Sequence, residues 1–305
     1  MTQISKDILE RFQVRKTKQQ KTEFIRWLQG HFPELQVEQA GLFKSRNLAL
    51  GDVASAKTIL TAHYDTCARL PFPNFLTPQN FLIYFLYQLL ILIPFFAIMV
   101  LIDTLMLFLL PDTSVGLWVG YLIMMALLFF VLMGGPANRH TANDNTSGVI
   151  TLVEIYTAMT PEQRKNTALV FFDHEESGLL GSAAFAKRHR KEGLKEKLVL
   201  NFDCVSDGDY FLLVQNKAAK SRYGSALEAS FRSADGKECI FTTSSKAFYP
   251  SDQSNFPTNV AVAAFNKSRF WGLYVDKIHT KRDTVMDERN IKLLTECTLR
   301  YLEQA

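Results

Sequence analysis

Seven side chains able to hold a cation or move a proton stand in short polar clusters. They are His63 and Asp65 in His63-Tyr64-Asp65, Asp144 in Asn143-Asp144-Asn145, the pair Glu175-Glu176, then Asp203 and His279. Two imidazoles among several carboxylates offer mixed nitrogen and oxygen ligation, which suits Zn²⁺ and is compatible with Mn²⁺ or Co²⁺. Alone, a His-x-Asp is ordinarily a surface turn and a Glu-Glu pair a solvated face. Their positions relative to the elements around them are what join them.

β-prone runs fall at residues 57–63, 167–172, 197–202 and 259–265. Helical stretches at 148–159 and 180–190 lie between them, 4–30 has helix-like apolar spacing, and 286–303 closes the chain as an amphipathic helix. This alternation predicts an α/β fold with a single mixed, mainly parallel sheet flanked by helices. His63 and Asp65 then follow the first strand, Asp173, Glu175 and Glu176 follow the second, and Asp203 ends the third. In open α/β sheets ligands bind beyond the carboxyl ends of the strands. Carboxylates gathered there repel one another unless cations are present.

Composition divides the chain sharply. Of 305 residues, 48% are hydrophobic, 21% are charged and only 25 are Gly or Pro, which excludes a disordered or collagen-like chain. Between Leu70 and Asn138 there is no Lys or Arg, and Asp103 and Asp112 are the only acids. The other 236 residues carry all 34 basic and 28 of the 30 acidic groups. The net charge of +4 gives no argument for nucleic acid. Four scattered cysteines, Cys67, Cys204, Cys239 and Cys297, form no C-x-x-C pair and fit a reducing compartment.

Residues 81–110 form an apolar run interrupted mainly by Gln88, Pro94 and Asp103, and 115–133 form a second with no charge. Each exceeds or approaches the roughly 20 residues that span a bilayer. The turn Pro111-Asp112-Thr113-Ser114 separates them, and Tyr84, Tyr87, Trp118 and Tyr121 lie towards their ends, as at headgroup layers. The reading is a transmembrane hairpin, 71–135, inserted in a domain made of 1–70 and 136–305, with Asp103 near the far boundary. The basic excess places that domain in the cytoplasm by the positive-inside rule. The charged N-terminus lacks an apolar core, so no secretory signal peptide is expected.

Five ordered motifs, T-A-H-Y-D-T (61–66), A-N-D-N-T-S-G (142–148), F-F-D-H-E-E-S-G-L-L-G-S (171–182), L-N-F-D (200–203) and I-H-T-K-R-D-T (278–284), resemble those of peptidase family M28. This is the zinc aminopeptidase family related to aminopeptidase Y and the Aeromonas-type leucyl aminopeptidases. The resemblance runs from about Asn47 to the end, outside the apolar insert. It implies two zinc ions bridged by Asp144, with Glu176 and His279 on one and His63 and Asp203 on the other. It also implies Glu175 as general base, Asp65 accepting from the His63 ring, and Asp283 supporting His279. Tyr249, Ser251 and Asp252 become candidates for substrate or oxyanion contact. Gln253 departs from the family's usual Ser-Asp-His, which bears on substrate preference and not on the ligands.

The implied activity is a membrane-anchored exopeptidase that removes N-terminal residues from peptides. A glutaminyl-cyclase-like single-zinc aminoacyltransferase and an inactive membrane scaffold are the alternatives. The tether 71–80 reaches at most ~35 Å when extended, so the active site is expected to border the bilayer. Oligomeric state is left open. The basic stretches 15–18 and 187–191 read as solvated helix faces able to touch anionic lipid. Most remaining histidines read as surface groups, with His174 as a cleft-lining exception, and Cys204 reads as a small core residue.

Overall fold

The computed structural model describes residues 1–304. In chain order the elements begin with α1 (Gln3–Arg11), α2 (Lys18–His31), β1 (Gln36–Ala40), β2 (Ser45–Leu50) and β3 (Thr58–His63). Then come α3 (Phe81–Leu109), α4 (Thr113–Phe129), α5 (Gly148–Ala158), α6 (Pro161–Asn166), β4 (Thr167–Phe172) and α7 (Leu180–Arg188). The last group is β5 (Leu198–Phe202), β6 (Tyr210–Gln215), α8 (Lys217–Ser230), β7 (Glu238–Thr243), β8 (Asn259–Ser268), β9 (Gly272–Tyr274) and α9 (Glu288–Leu302).

One mixed sheet runs β1-β2-β4-β3-β5-β8-β6-β7, with β9 added to β8. Its centre, β4-β3-β5-β8, is parallel. Antiparallel pairs flank it at β1/β2, β2/β4, β6/β8 and β8/β9. Every residue of β3, β4 and β5 is buried, as expected where helices cover both faces. Along β4, Leu169 and Phe171 pack with α1, α2, α5 and α9 on one face. Ala168, Val170 and Phe172 meet Phe185 of α7 on the other.

The helical reading of 4–30 resolves into two helices. Thr17 starts the second with a capping box, its hydroxyl accepting from the Gln20 N–H while the Gln20 side chain accepts from the Thr17 N–H. At the start of α5, a side chain at Gly148 would collide with the Phe202 carbonyl, so only glycine lets this helix meet the end of β5.

Between β3 and β4 the chain leaves the sheet through α3 and α4, the latter extended by a π-helical stretch, Phe130–Gly134. Both are long and apolar enough to cross a membrane. They pack on each other through Gly116, Gly120 and Met124 of α4, and the Asp103 carboxylate fills the space a side chain at Gly120 would need. α3 runs past Asp103 to Leu109. The stem is bolted to the sheet domain. Arg69 N–H donates to the Pro136 carbonyl (2.8 Å), Asn138 N–H to that of Cys67 (3.2 Å), and Leu76 and Val275 exchange two backbone hydrogen bonds (3.0 Å each).

Candidate metal centre

Five chain segments meet beyond the carboxyl edge of the central strands. β3 ends at His63, the loop before α5 carries Asp144, the loop after β4 carries Glu175 and Glu176, and Asp203 follows β5. His279 arrives from the segment after β9. The two oxygens of Asp144 divide between the imidazoles, Oδ1 lying 3.3 Å from His63 Nε2 and Oδ2 lying 3.1 Å from His279 Nε2. Asp203 Oδ1 is 3.6 Å from His63 Nε2, and Glu176 Oε2 is 3.4 Å from His279 Nε2. All five predicted ligands are thus gathered around one carboxylate. His279 and Cys204 adopt left-handed backbone, a conformation that costs non-glycine residues about 1–3 kcal/mol and clusters at functional sites.

The electrostatics describe a site short of positive charge. Burial alone would lower the His63 imidazole, yet the charge of Glu175 and contacts with Asp144, Asp203 and Asp65 raise it well above its ordinary value. His279 is raised to about 9 against burial, chiefly by Glu176 and Asp144. Burial, with help from neighbouring carboxylates, pushes Glu176 up to about 8 and Glu175 well above the usual range. Asp144, facing both imidazoles, is held far below it despite burial. Glu176 Oε1 and Asp203 Oδ1 are buried without a hydrogen-bond partner. Orphaned acceptors beside imidazoles whose proton affinity the carboxylates raise are what divalent cations would relieve, and the donor set of two His nitrogens and three carboxylates fits zinc.

The supporting residues act differently from the expectations above. The His63 Nδ1 partner is the backbone carbonyl of Asp65 (3.1 Å), whereas the Asp65 carboxylate accepts from the N–H groups of Glu175 (3.0 Å) and Glu176 (3.3 Å). Asp65 therefore orients the Glu-Glu loop, with its side chain 3.7 Å from the ring. Asp283 does not brace His279. Its oxygens accept from the N–H groups of Asn143 (2.8 Å) and Asp144 (3.0 Å), fixing the bridging loop.

Tyr249 lines the cavity, but its hydroxyl donates to the Asp203 carbonyl (3.0 Å) and is committed there. Ser251 is buried behind the wall, where Asn201 Nδ2 donates to its Oγ (3.0 Å) and to Gln253 Oε1 (3.0 Å). Gln253 Nε2 in turn donates to the Tyr249 carbonyl (2.7 Å), so this departure is built into the wall. Asp252 is fully buried with both oxygens unpartnered, and burial lifts its carboxyl to about 7.

Sequence reasoning missed three residues. Arg15 is fully buried and not a solvated face, its guanidinium donating to the carbonyls of Tyr64 and Phe12 and to Thr146 Oγ1. Cys67 brings its sulfur within 4.8 Å of ligand atoms of Asp144, Glu176 and His279. His189 is buried between Glu38 and Glu192. His174 has its Nδ1 2.9 Å from the Ser45 hydroxyl and does not line the cavity that Glu175 lines. Cys204 is buried, as expected, and also lines that cavity.

The cavity over the centre has a volume of about 280 Å³. Besides the acidic and imidazole groups, its lining includes Asn74 and Leu76 of the entry tether and Tyr84 from the first turn of α3.

A single α/β sheet with clustered His and carboxylate donors at its carboxyl edge is a fold of the metal-dependent peptidase type. The model of peptidase family M28 matches residues 127–302, and the chain belongs to this family. No curated protein sequence matches it. Among solved structures, the LapA aminopeptidase of Legionella pneumophila superposes with a TM-score of 0.58 at 12% identity, covering 99% of this chain and 68% of that one. A glutaminyl cyclase of Porphyromonas gingivalis gives 0.59 at 16% identity, covering 98% and 96%. Another from Macrostomum lignano gives 0.54 at 14%, covering 98% and 86%. At these identities the likeness is one of fold.

Proposed function

We propose that this chain is a membrane-anchored, two-zinc aminopeptidase acting on peptides. The observation that carries the reading is the division of the Asp144 oxygens between two imidazoles, each accompanied by its own further carboxylate. In this reading Asp144 would serve both ions, His63 and Asp203 would hold one with it, and Glu176 and His279 would hold the other. Bound there, divalent ions supply Lewis acidity, easing deprotonation of water and polarising a carbonyl.

The chain's own groups do the rest. Glu175 sits beside the ligands in a setting that raises its proton affinity, which suits a base that takes a proton from the attacking water and returns it to the leaving amine. Asp65 holds the loop that aims Glu175, and Asp283 holds the Asp144 loop. The acidic rim favours a substrate with a free, positively charged α-amine.

In the same reading α3 and α4 cross the bilayer as a hairpin, 71–135, inserted into a domain formed by 1–70 and 136–305. The basic excess of that domain keeps it cytoplasmic. Tyr84 then places the cavity at the membrane surface, where peptides would be taken.

The test is metal analysis of the full chain in detergent, combined with a panel of aminoacyl anilides and a glutaminyl peptide. Two equivalents of zinc and release of the chromogenic amine are expected. One equivalent with pyroglutamate formation would overturn the reading in favour of a cyclase.

A further inference from the structure

The turn between β8 and β9 carries Arg269, Phe270 and Trp271, and the two rings stand 78% and 41% exposed. Contiguous exposed apolar groups mark surfaces that meet a partner or a membrane. The surroundings identify which. Trp271 meets Phe75 edge-on at 6.2 Å, and Phe75 meets Tyr87 of α3 at 5.1 Å and Tyr274 of β9 at 6.1 Å. Tyr87 donates its hydroxyl to the Pro73 carbonyl at 2.7 Å. A second exposed ring, Phe248, packs on Tyr84 at 5.6 Å and donates its N–H to the Pro78 carbonyl at 2.7 Å. The β8–β9 tip and Phe248 are thus fixed to the first two turns of α3.

Helix lengths set the level of those turns. From the shared turn, the α4 stretch runs 22 residues to Gly134, about 33 Å at 1.5 Å per residue. That covers the ~30 Å hydrocarbon layer. α3 has 29 residues, so its first seven extend about 10 Å beyond, at headgroup depth on the side of the sheet domain. Tyr84 and Tyr87 lie within those seven. Within three residues of Phe248 or Phe270 in sequence the exposed charges are Lys246, Lys267, whose ammonium lies over the Tyr210 ring at 4.9 Å, and Arg269, and the acid that follows, Asp276, faces Arg282 at 3.6 Å.

Resting on the reading that α3 and α4 span a bilayer, we infer that the β8–β9 turn and Phe248 form a second membrane contact. Its partner is a phospholipid surface with anionic headgroups. Phe270 and Trp271 enter the boundary between headgroups and acyl chains, Arg269 and Lys246 meet phosphate, and the cavity mouth beside Tyr84 is held at that level.

The full chain, reconstituted in phosphatidylcholine–phosphatidylglycerol vesicles with or without brominated acyl chains, tests this by tryptophan fluorescence. Comparing wild type with Trp271→Phe and Trp118→Phe isolates each ring's emission. Brominated lipid is expected to remove most of the Trp271 contribution, while aqueous iodide leaves it largely intact. Trp118 quenched by lipid with Trp271 open to iodide would overturn the second contact and leave the spanning hairpin standing. Neither ring quenched by lipid would overturn both.

Discussion

The backbone carbonyl of His279 accepts a hydrogen bond from the N–H of Leu70 at 2.8 Å. A candidate metal ligand is thereby tied, through its own peptide, to the residue just before the tether that leads into α3. Asn74 N–H adds a second tie to the Ile278 carbonyl at 3.3 Å. Leu70→Pro removes the donor, whereas Leu70→Ala keeps it. Loss of groups supporting a ligand typically costs 10–100-fold in metal affinity. We expect a loss of about 10-fold in zinc affinity for the proline variant only, read by chelator competition. Equal affinities in both variants would show that the stem does not position His279.

In the proposed mechanism Glu175 carries the proton transfer and no ligand duty, so Glu175→Gln should bind zinc as the parent does. Its kcat should fall at least ~10²-fold, the lower end of general-base contributions. Near-normal turnover with full metal content would remove Glu175 from the mechanism.

Tyr84 contributes a wall of the cavity from α3. Shortening it to alanine enlarges that wall by a ring, and pocket changes of even one methylene shift discrimination by about 10-fold or more. Tyr84→Ala should raise kcat/KM for bulky first residues relative to alanine by at least ~10-fold, with metal content unchanged. Tyr84→Phe should keep the parental ratio. A common drop for every substrate would assign Tyr84 to anchoring alone.

The gathering of the candidate ligands was legible because each strand-end motif is local: His63, Glu176 and Asp203 follow β-prone runs directly. The sequence also carried the two apolar helices, whose composition is extreme. β1 and β7 escaped notice because these edge strands are largely exposed or half-buried, and α8 because it is polar on most faces. β2 and β6, almost wholly buried inside the sheet, escaped it without that excuse. The roles of Asp65, Asp283 and Tyr249 were illegible for a different reason. Each depends on which backbone amide or carbonyl faces it across more than 40 residues, and residue type says nothing of that.

Arg15 joins two ligand loops at once, through the Tyr64 carbonyl beside His63 and the Thr146 hydroxyl near Asp144. Buried without solvent, those acceptors lose charge-assisted bonds of about 1.5–3 kcal/mol each if the guanidinium goes. Arg15→Met should therefore destabilise the fold by about 3 kcal/mol or more. Arg15→Lys, which retains charge but not the fork, should fall between. Denaturant or thermal unfolding of the metal-free chain measures this, and a loss below about 1 kcal/mol would reduce Arg15 to packing.

His189 joins α7 to β1 as a cation. Its Nε2 lies 2.8 Å from Glu38 and its Nδ1 2.7 Å from Glu192, so both ring nitrogens donate. Burial works against the charge, but the two carboxylates raise the imidazole above its ordinary value. A folded pKa above the unfolded one, about 6.5, means the added stability is fully present below that pH. It drains away as pH rises through the folded value. His189→Gln cannot carry the charge, so the gap in Tm between parent and variant should be widest below about pH 6.5 and narrow as the pH rises beyond the ordinary imidazole value. At its widest it should correspond to about 1 kcal/mol, the scale of a partly exposed ion pair. A gap that stays constant with pH would mean that the ring is held as a neutral packing element and that Glu38 and Glu192 are bound to something else.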